Sequence, residues 1–187
     1  MSQQRTRVLA ATAVVFAQGP ARTVAAVAKV ARVSRNTFYE YFDDLEHARA
    51  GAALRARQRL EVALGEAQRR ARTPVERWRE LAQAWFEWVL EFPAEARLLV
   101  VGEARGLSVA GRELEAALTR SLVLMRVSGL STPAPDAVRV TAVAAAGEVL
   151  ARSLIEETLA TAEASQSTSP RQRLERALVD IAVRLLR

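Results

Sequence analysis

Four side chains in a run of five, Arg35, Asn36, Thr37 and Tyr39, carry hydrogen-bonding groups of the kind that phosphates and base edges accept. A guanidinium forks onto two acceptors, an amide donates and accepts side by side, and hydroxyls reach single phosphate oxygens. That is the chemistry of recognition rather than of bond breaking. Ser34, one residue upstream, can cap a helix starting here. On such a helix Phe38, Tyr41 and Phe42 face inward, and the four polar residues stand on or near the outer face. The preceding segment must hold that helix in place: Val24, Val27, Ala28 and Ala31 recur at i, i+3, i+4 and i+7, with Thr23 positioned as N-cap. The break falls near Arg32-Val33. Residues 24–42 therefore read as a helix-turn-helix, the alternative being a small helical unit in which Tyr39 and Tyr41 are only core aromatics.

Charge separates these alternatives. Residues 1–39 hold six basic side chains (Arg5, Arg7, Arg22, Lys29, Arg32, Arg35) and no acidic one. Residues 1–72 carry 13 Lys and Arg against 6 Asp and Glu, a balance of +7, whereas residues 73–187 carry 14 against 15, a balance of −1. The net charge of +6 thus resides in the N-terminal part, as expected if that part meets a polyanion. Arg55, Arg57, Arg59, Arg69, Arg70 and Arg72 read instead as the solvated face of a long helix.

The stretch resembles the N-terminal domain of the TetR family of bacterial transcriptional repressors, from about residue 5 to residue 48. An apolar first helix (Val8, Leu9, Ala11, Val15, Phe16) leads through Gly19 and Thr23 to Val33-Ser34-Arg35-Asn36-Thr37-Phe38-Tyr39-Glu40-Tyr41-Phe42, which fits the family's V-S-x-x-T-[FL]-Y-x-[YH]-F pattern. The resemblance implies that Arg35 and Asn36 meet base edges, that Thr37 and Tyr39 meet phosphates or a thymine methyl, and that Thr23 caps its helix. With Arg32, Ser34 and Tyr41 these residues form the candidate DNA-binding set. Two departures stand out. Where the family often has Gly in the tight turn this chain has Arg32, which implies a left-handed non-glycine residue or a slightly different turn. Leu45 replaces a common phosphate-binding lysine.

Composition bounds the rest. A chain of 187 residues can bury about 70% of its unfolded surface and accommodate two functional parts. Half its residues are hydrophobic, helical periods recur throughout, and no hairpin signal occurs, so the expected class is all-α. With no cysteine and one histidine, His47, neither a metal centre nor a catalytic triad is expected, and no cofactor is called for. No run approaches the ~18 apolar residues of a membrane span. Arg5, Arg7 and the apolar run 8–17 mimic a secretory signal, but removing them would delete the first helix of the DNA-binding unit, so a cytoplasmic protein with no membrane partner is expected.

Residues 1–47 are expected to form the helix-turn-helix domain, and 48–187 a helical domain for ligand binding and dimerisation. Asp43 and Asp44 can cap a helix over about 45–70, the lever between them. Thr73, Pro74 and Glu76 form a capping-box start for the next helix. On it Trp78, Leu81, Trp85, Trp88 and Phe92 share one stripe, either core packing or one wall of an effector cavity. Trp85, Trp88, Phe92, Leu99 and Met125 are the candidate ligand residues, and Glu103, Arg105 and Arg126 are more ordinary as surface charges. Further helices are expected from Pro93, over about 112–128, over 136–159, and after a capping box at Ser169-Pro170-Arg171-Gln172. The small-residue patch Ala144 to Gly147 and the seam Leu174, Leu178, Ile181, Leu185 suit the two-subunit four-helix bundle that the resemblance implies. The alternative is that both helices close the monomer's own core. Glu148 and Arg152 would pair on the surface or at the interface.

The sequence thus points to a ligand-responsive regulator, a repressor that binds an inverted-repeat, double-stranded DNA operator as a homodimer and is released by an unknown small-molecule effector. The competing possibility is a helical protein-interaction adaptor with a degenerate DNA-binding unit. An enzyme is not expected, because no carboxylate pair, nucleophile motif or phosphate loop has usable spacing.

Overall fold

The computed structural model describes residues 2–18, 22–100, 107–127, 137–160 and 170–186, and all the regular structure among them is helical. The order is α1 (Gln3–Gln18), α2 (Val24–Ala31), α3 (Arg35–Tyr39), α4 (Leu45–Arg70), α5 (Pro74–Glu91), α6 (Pro93–Val100), α7 (Val109–Val127), α8 (Ala137–Ala160) and α9 (Pro170–Leu186). The expected helix over 112–128 begins three residues earlier. The capping box expected at Ser169 lies outside the described residues, as do Gly19, Glu103 and Arg105.

Two buried clusters organise the chain, and α4 runs through both. Val8, Leu9, Ala11 and Val15 of α1, Val27 and Ala31 of α2, and Phe38 and Phe42 pack with Ala48 and Ala52 of α4. Ala56, Leu60, Leu64 and Ala67, further along the same face of α4, belong to a larger cluster with α5 to α9. The regular spacing places one stripe of α4 inward for most of its length, and alanines at its start let α1 come close. At Gly51 a Cβ would stand 3.0 Å from Leu9 Cδ2 and 3.4 Å from Phe42 Cε1, so α1 and α4 pack closely there. The boundary expected between residues 47 and 48 thus falls in the first turn of α4, whose Ala48 and Ala52 still pack with the N-terminal helices. Leu98 of α6 also packs against that N-terminal cluster.

Local chemistry fixes the helix ends. Asp44 caps α4 by accepting from His47 N at 2.7 Å. At α5, Thr73 Oγ1 accepts from Glu76 N, while Glu76 Oε2 accepts from Thr73 N and Arg72 N. Those backbone donors hold the Glu76 carboxyl below its ordinary range. The contribution is therefore present above the unfolded pKa and is lost as pH falls through the folded one.

Candidate functional site

The recognition segment is short and well capped. Thr23 Oγ1 accepts from Ala26 N at 3.1 Å to start α2, and Ser34 Oγ accepts from Thr37 N at 2.9 Å to start α3. The Ser34 and Thr37 hydroxyls lie 3.0 Å apart, within hydrogen-bond reach of each other. Phe38 is fully buried, and Tyr39 stands edge-on to it at 5.4 Å with 55% of its surface exposed. Arg32, Ser34, Arg35, Asn36 and Tyr39 are exposed together, with Thr37 half-buried among them. Tyr41 is placed differently: it is half-buried, and its hydroxyl donates to Gln4 Oε1 of α1 at 3.1 Å, tying the segment to the first helix.

Arg32 occupies the left-handed region at φ 54° and ψ 49°, where the resemblance led one to look for glycine. Its N–H reaches the carbonyls of Ala28 and Lys29. Arg7 reinforces this turn from α1 by donating Nη2 to Ala31 O at 2.6 Å and Arg32 O at 3.2 Å, satisfying carbonyls that the end of α2 leaves over. Arg7 is therefore a fastener for the turn, a role its place among the basic residues did not indicate. Arg5 lies over the Phe42 ring at 5.4 Å and Arg22 over Phe16 at 5.0 Å, leaving Lys29, Arg32 and Arg35 as exposed cations beside α3. Arg32→Gly is expected to raise unfolding free energy by about 0.5–1 kcal/mol, the relief of left-handed strain minus glycine's unfolded-state entropy. Urea titration measures that gain, and a loss of stability would show that the arginine side chain supports the turn.

A cleft of about 460 Å³ opens between α4 and α5, lined among others by Arg55, Arg59, Val62, Trp88, Glu91 and Phe92. Two of the candidate ligand residues, Trp88 and Phe92, stand in its wall. Trp85 and Leu99 do not: Leu99 is core, and Trp85 is fully buried with Nε1 donating to Gly147 O at 3.2 Å. The Met125 side chain lies outside the described residues. Arg126 is exposed, as expected for a surface charge.

The arginines of α4 are not all a solvated face. Arg59 Nη1 pairs with Glu95 Oε1 at 2.8 Å, and its guanidinium stacks over the Phe92 ring at 4.3 Å. Arg55 Nη1 stands 3.8 Å from the same Glu95 oxygen and donates to Thr6 O of α1 at 3.2 Å. Burial, and then the neighbouring Arg59 charge, lower the proton affinity of Arg55, with Glu95 opposing. Arg57 bridges Glu61 and Glu113, linking α4 to α7. Arg55 and Arg59 share a helical face, but their partners Glu95 and Thr6 lie 36 and 49 residues away, so spacing carried no signal of the cluster.

Solved structures share this architecture over nearly its whole length. A TetR-like transcriptional regulator from Rhodococcus sp. RHA1 superposes at a TM-score of 0.72 and 18% identity, covering 97% of this chain and 94% of that one. A tetR-family regulatory protein from Rhodococcus RHA1 gives 0.71 and 19%, covering 100% of this chain and 98% of that one. The chain has the TetR-like fold. The fatty acid degradation regulator FadR from Bacillus halodurans also shares it, at 0.71 and 14% identity, over 93% of this chain and 97% of that one. No protein-family model and no curated protein matches the sequence.

Within this TetR-like fold, the small-residue patch of α8 serves the subunit itself. Ala144 is fully buried, and a Cβ on Gly147 would meet Leu114 Cδ2 of α7 at 2.7 Å, with Leu178 of α9 next. The close approach expected for a partner helix is made by α5, α7 and α9 of the same chain. Leu178 is buried in the same core, while Leu174, Ile181 and Leu185 pack against it half-buried, each keeping part of its surface exposed. Glu148 and Arg152 do pair, at 2.6 Å, but inside: Glu148 is 6% exposed, its Oε2 accepts from Ser108 N at 2.9 Å, and Arg152 Nη2 donates to Val100 O at 2.8 Å. These are corrections to the expected interface. A helix that closes its own core and one that joins a partner carry the same period, and only the neighbours tell them apart. No helix among the described residues is long and apolar enough to cross a membrane.

Proposed function

We propose that this protein is a ligand-responsive DNA-binding transcriptional regulator, a cytoplasmic repressor that binds an inverted-repeat operator as a homodimer and is released by a small-molecule effector. The observation that carries the proposal is the capped α3 presenting Arg35, Asn36 and Tyr39 outward on a chain segment with six basic residues and no acid. Arg35 and Asn36 are assigned to base edges, and Arg32, Thr37 and Tyr39 to the backbone. Thr23 and Ser34 contribute by fixing the two helix starts. Tyr41 leaves the set because its hydroxyl is engaged by Gln4. Residues 1–47 supply the DNA-binding part and 48–187 the effector and dimer part, with the first turns of α4 shared.

The homodimer face is assigned to the outer side of α8. Val138 and Val149 are 76% and 62% exposed there, and with Ala142 and Ala145 they recur at 4-3-4 spacing as an apolar stripe that the subunit leaves to solvent. Effector release is assigned to α4, because Arg55 borders the cleft and also holds the Thr6 carbonyl of α1. Occupancy of the cleft would shift that bond and the recognition helix with it, a coupling typically worth about 1–3 kcal/mol.

Selection of bound duplexes from a random pool tests the proposal. The expected consensus is palindromic, with half-site centres one helical turn, about 34 Å, apart. Arg35→Ala is expected to cost about 1–3 kcal/mol in operator affinity and to relax preference at one position, whereas Tyr39→Phe weakens all sequences alike. Enrichment of no sequence would overturn it.

A further inference from the structure

The cleft between α4 and α5 has a chemistry of its own. Its arginine end is unbalanced, because two guanidiniums, Arg55 and Arg59, converge on the single carboxylate of Glu95. Only one oxygen of that carboxylate is used: Glu95 Oε2 is buried with no hydrogen-bond partner. Beside the arginines an apolar strip of Phe92, Trp88, Ala63 and Ala84 runs along the wall, with Val62 left 59% exposed. The Trp88 indole N–H is buried without an acceptor. We infer that this cleft binds a small organic monocarboxylate with an apolar body, the carboxylate resting on Arg55 and Arg59 in competition with Glu95, and the body lying along Val62, Trp88 and Phe92.

The remaining charges narrow the class. Glu66, Glu87 and Glu91 also border the cleft, Glu66 and Glu91 exposed and Glu87 accepting from Gln83 Nε2 at 2.9 Å, while Arg70 at the same rim is paired with Glu80 Oε2 at 2.9 Å. Solvent screens exposed carboxylates far more than partly buried guanidiniums, so the arginine end sets the preferred sign. The acidic rim still repels a second negative charge, which disfavours phosphates, nucleotides and dicarboxylates. A guanidinium pair matches the two oxygens of one carboxylate in geometry as well as charge. The volume of about 460 Å³ lies in the ordinary range of small-molecule sites.

This inference rests on the effector-responsive reading above, and it is tested separately from DNA binding. Calorimetric titration of the full chain with decanoate and phenylbutyrate, beside their primary amides and a phenylalkyl trimethylammonium salt, measures the sign of the preferred charge. The carboxylates are expected to bind at least ~10-fold tighter than the amides, the strength of a charge-assisted contact. Arg59→Gln should remove that preference and Arg59→Lys retain part of it, with folding followed by circular dichroism. Glu95→Gln should tighten carboxylate binding several-fold, because it removes the competitor; a merely structural Glu95 gives no such gain. Equal binding of acid and amide, preference for the cation, or no carboxylate binding up to ~1 mM overturns the assignment. Duplex selection on the unliganded chain reports independently on the regulator proposal, so failure of one is distinguishable from failure of the other.

Discussion

Trp85→Ala is expected to lower the unfolding free energy by about 3–5 kcal/mol, the range for emptying a fully buried large aromatic site. Trp85 has no exposed surface, its ring centroid lies 6.1 Å from that of Trp88, and its Nε1 donates to Gly147 O across the interior. The truncation therefore opens a void between α5 and α8 and removes the hydrogen bond that the indole adds to a carbonyl of the α8 ladder. Trp85→Phe separates the two effects, since it fills most of the void and removes only the extra donation to Gly147 O, which keeps its place in the α8 hydrogen-bond ladder, and should cost about 1–3 kcal/mol. Urea unfolding followed by far-ultraviolet circular dichroism measures both. A loss below about 1 kcal/mol for the alanine variant would mean that the site is already loosely packed, as a ligand wall would be.

That outcome bears on why the stripe of α5 was ambiguous in the sequence. Trp78, Leu81, Trp85, Trp88 and Phe92 share one helical face, and a face pointing at core and a face pointing at a cleft have the same period. What divides them is the opposite wall: Gly147 stands across from Trp85, whereas Arg59 lies over Phe92. Features encoded within one turn of chain were legible. The Thr73 and Glu76 capping box and the caps at Thr23, Ser34 and Asp44 all depend on neighbours three or four residues away, whereas the left-handed Arg32 was one of two turns that the family resemblance left open. Features that depend on distant pairing were not: the sharing of Glu95 by Arg55 and Arg59, the burial of Glu148 beneath Ser108, and the use of Gly147 by Trp85 and Leu114. Helix assignment survived because amphipathic period is local, while the burial of Ala144, Gly147 and Leu178 within the subunit was not legible, because that choice lies in tertiary contacts.

Raising salt from about 50 to 200 mM is expected to lower operator affinity on the order of 10²-fold, and the size follows from which cations are placed to meet phosphates. Six basic residues precede Tyr39, but Arg7 is committed to the Ala31 and Arg32 carbonyls, while Arg5 and Arg22 lie over Phe42 and Phe16. Arg35 is assigned to a base edge, and Lys29 and Arg32 remain exposed for the backbone, giving about four phosphate contacts in a dimer and a log-log slope near −4. Titrating labelled operator at several potassium chloride concentrations gives that slope directly. Lys29→Ala should flatten it by about 2, one phosphate contact per subunit, while leaving the selected sequence unchanged. If the stacked arginines swung out to join the phosphates, the slope would approach about −7. A slope near zero would remove the phosphate backbone from the interaction, and with it the explanation of why this chain keeps its positive charge at one end.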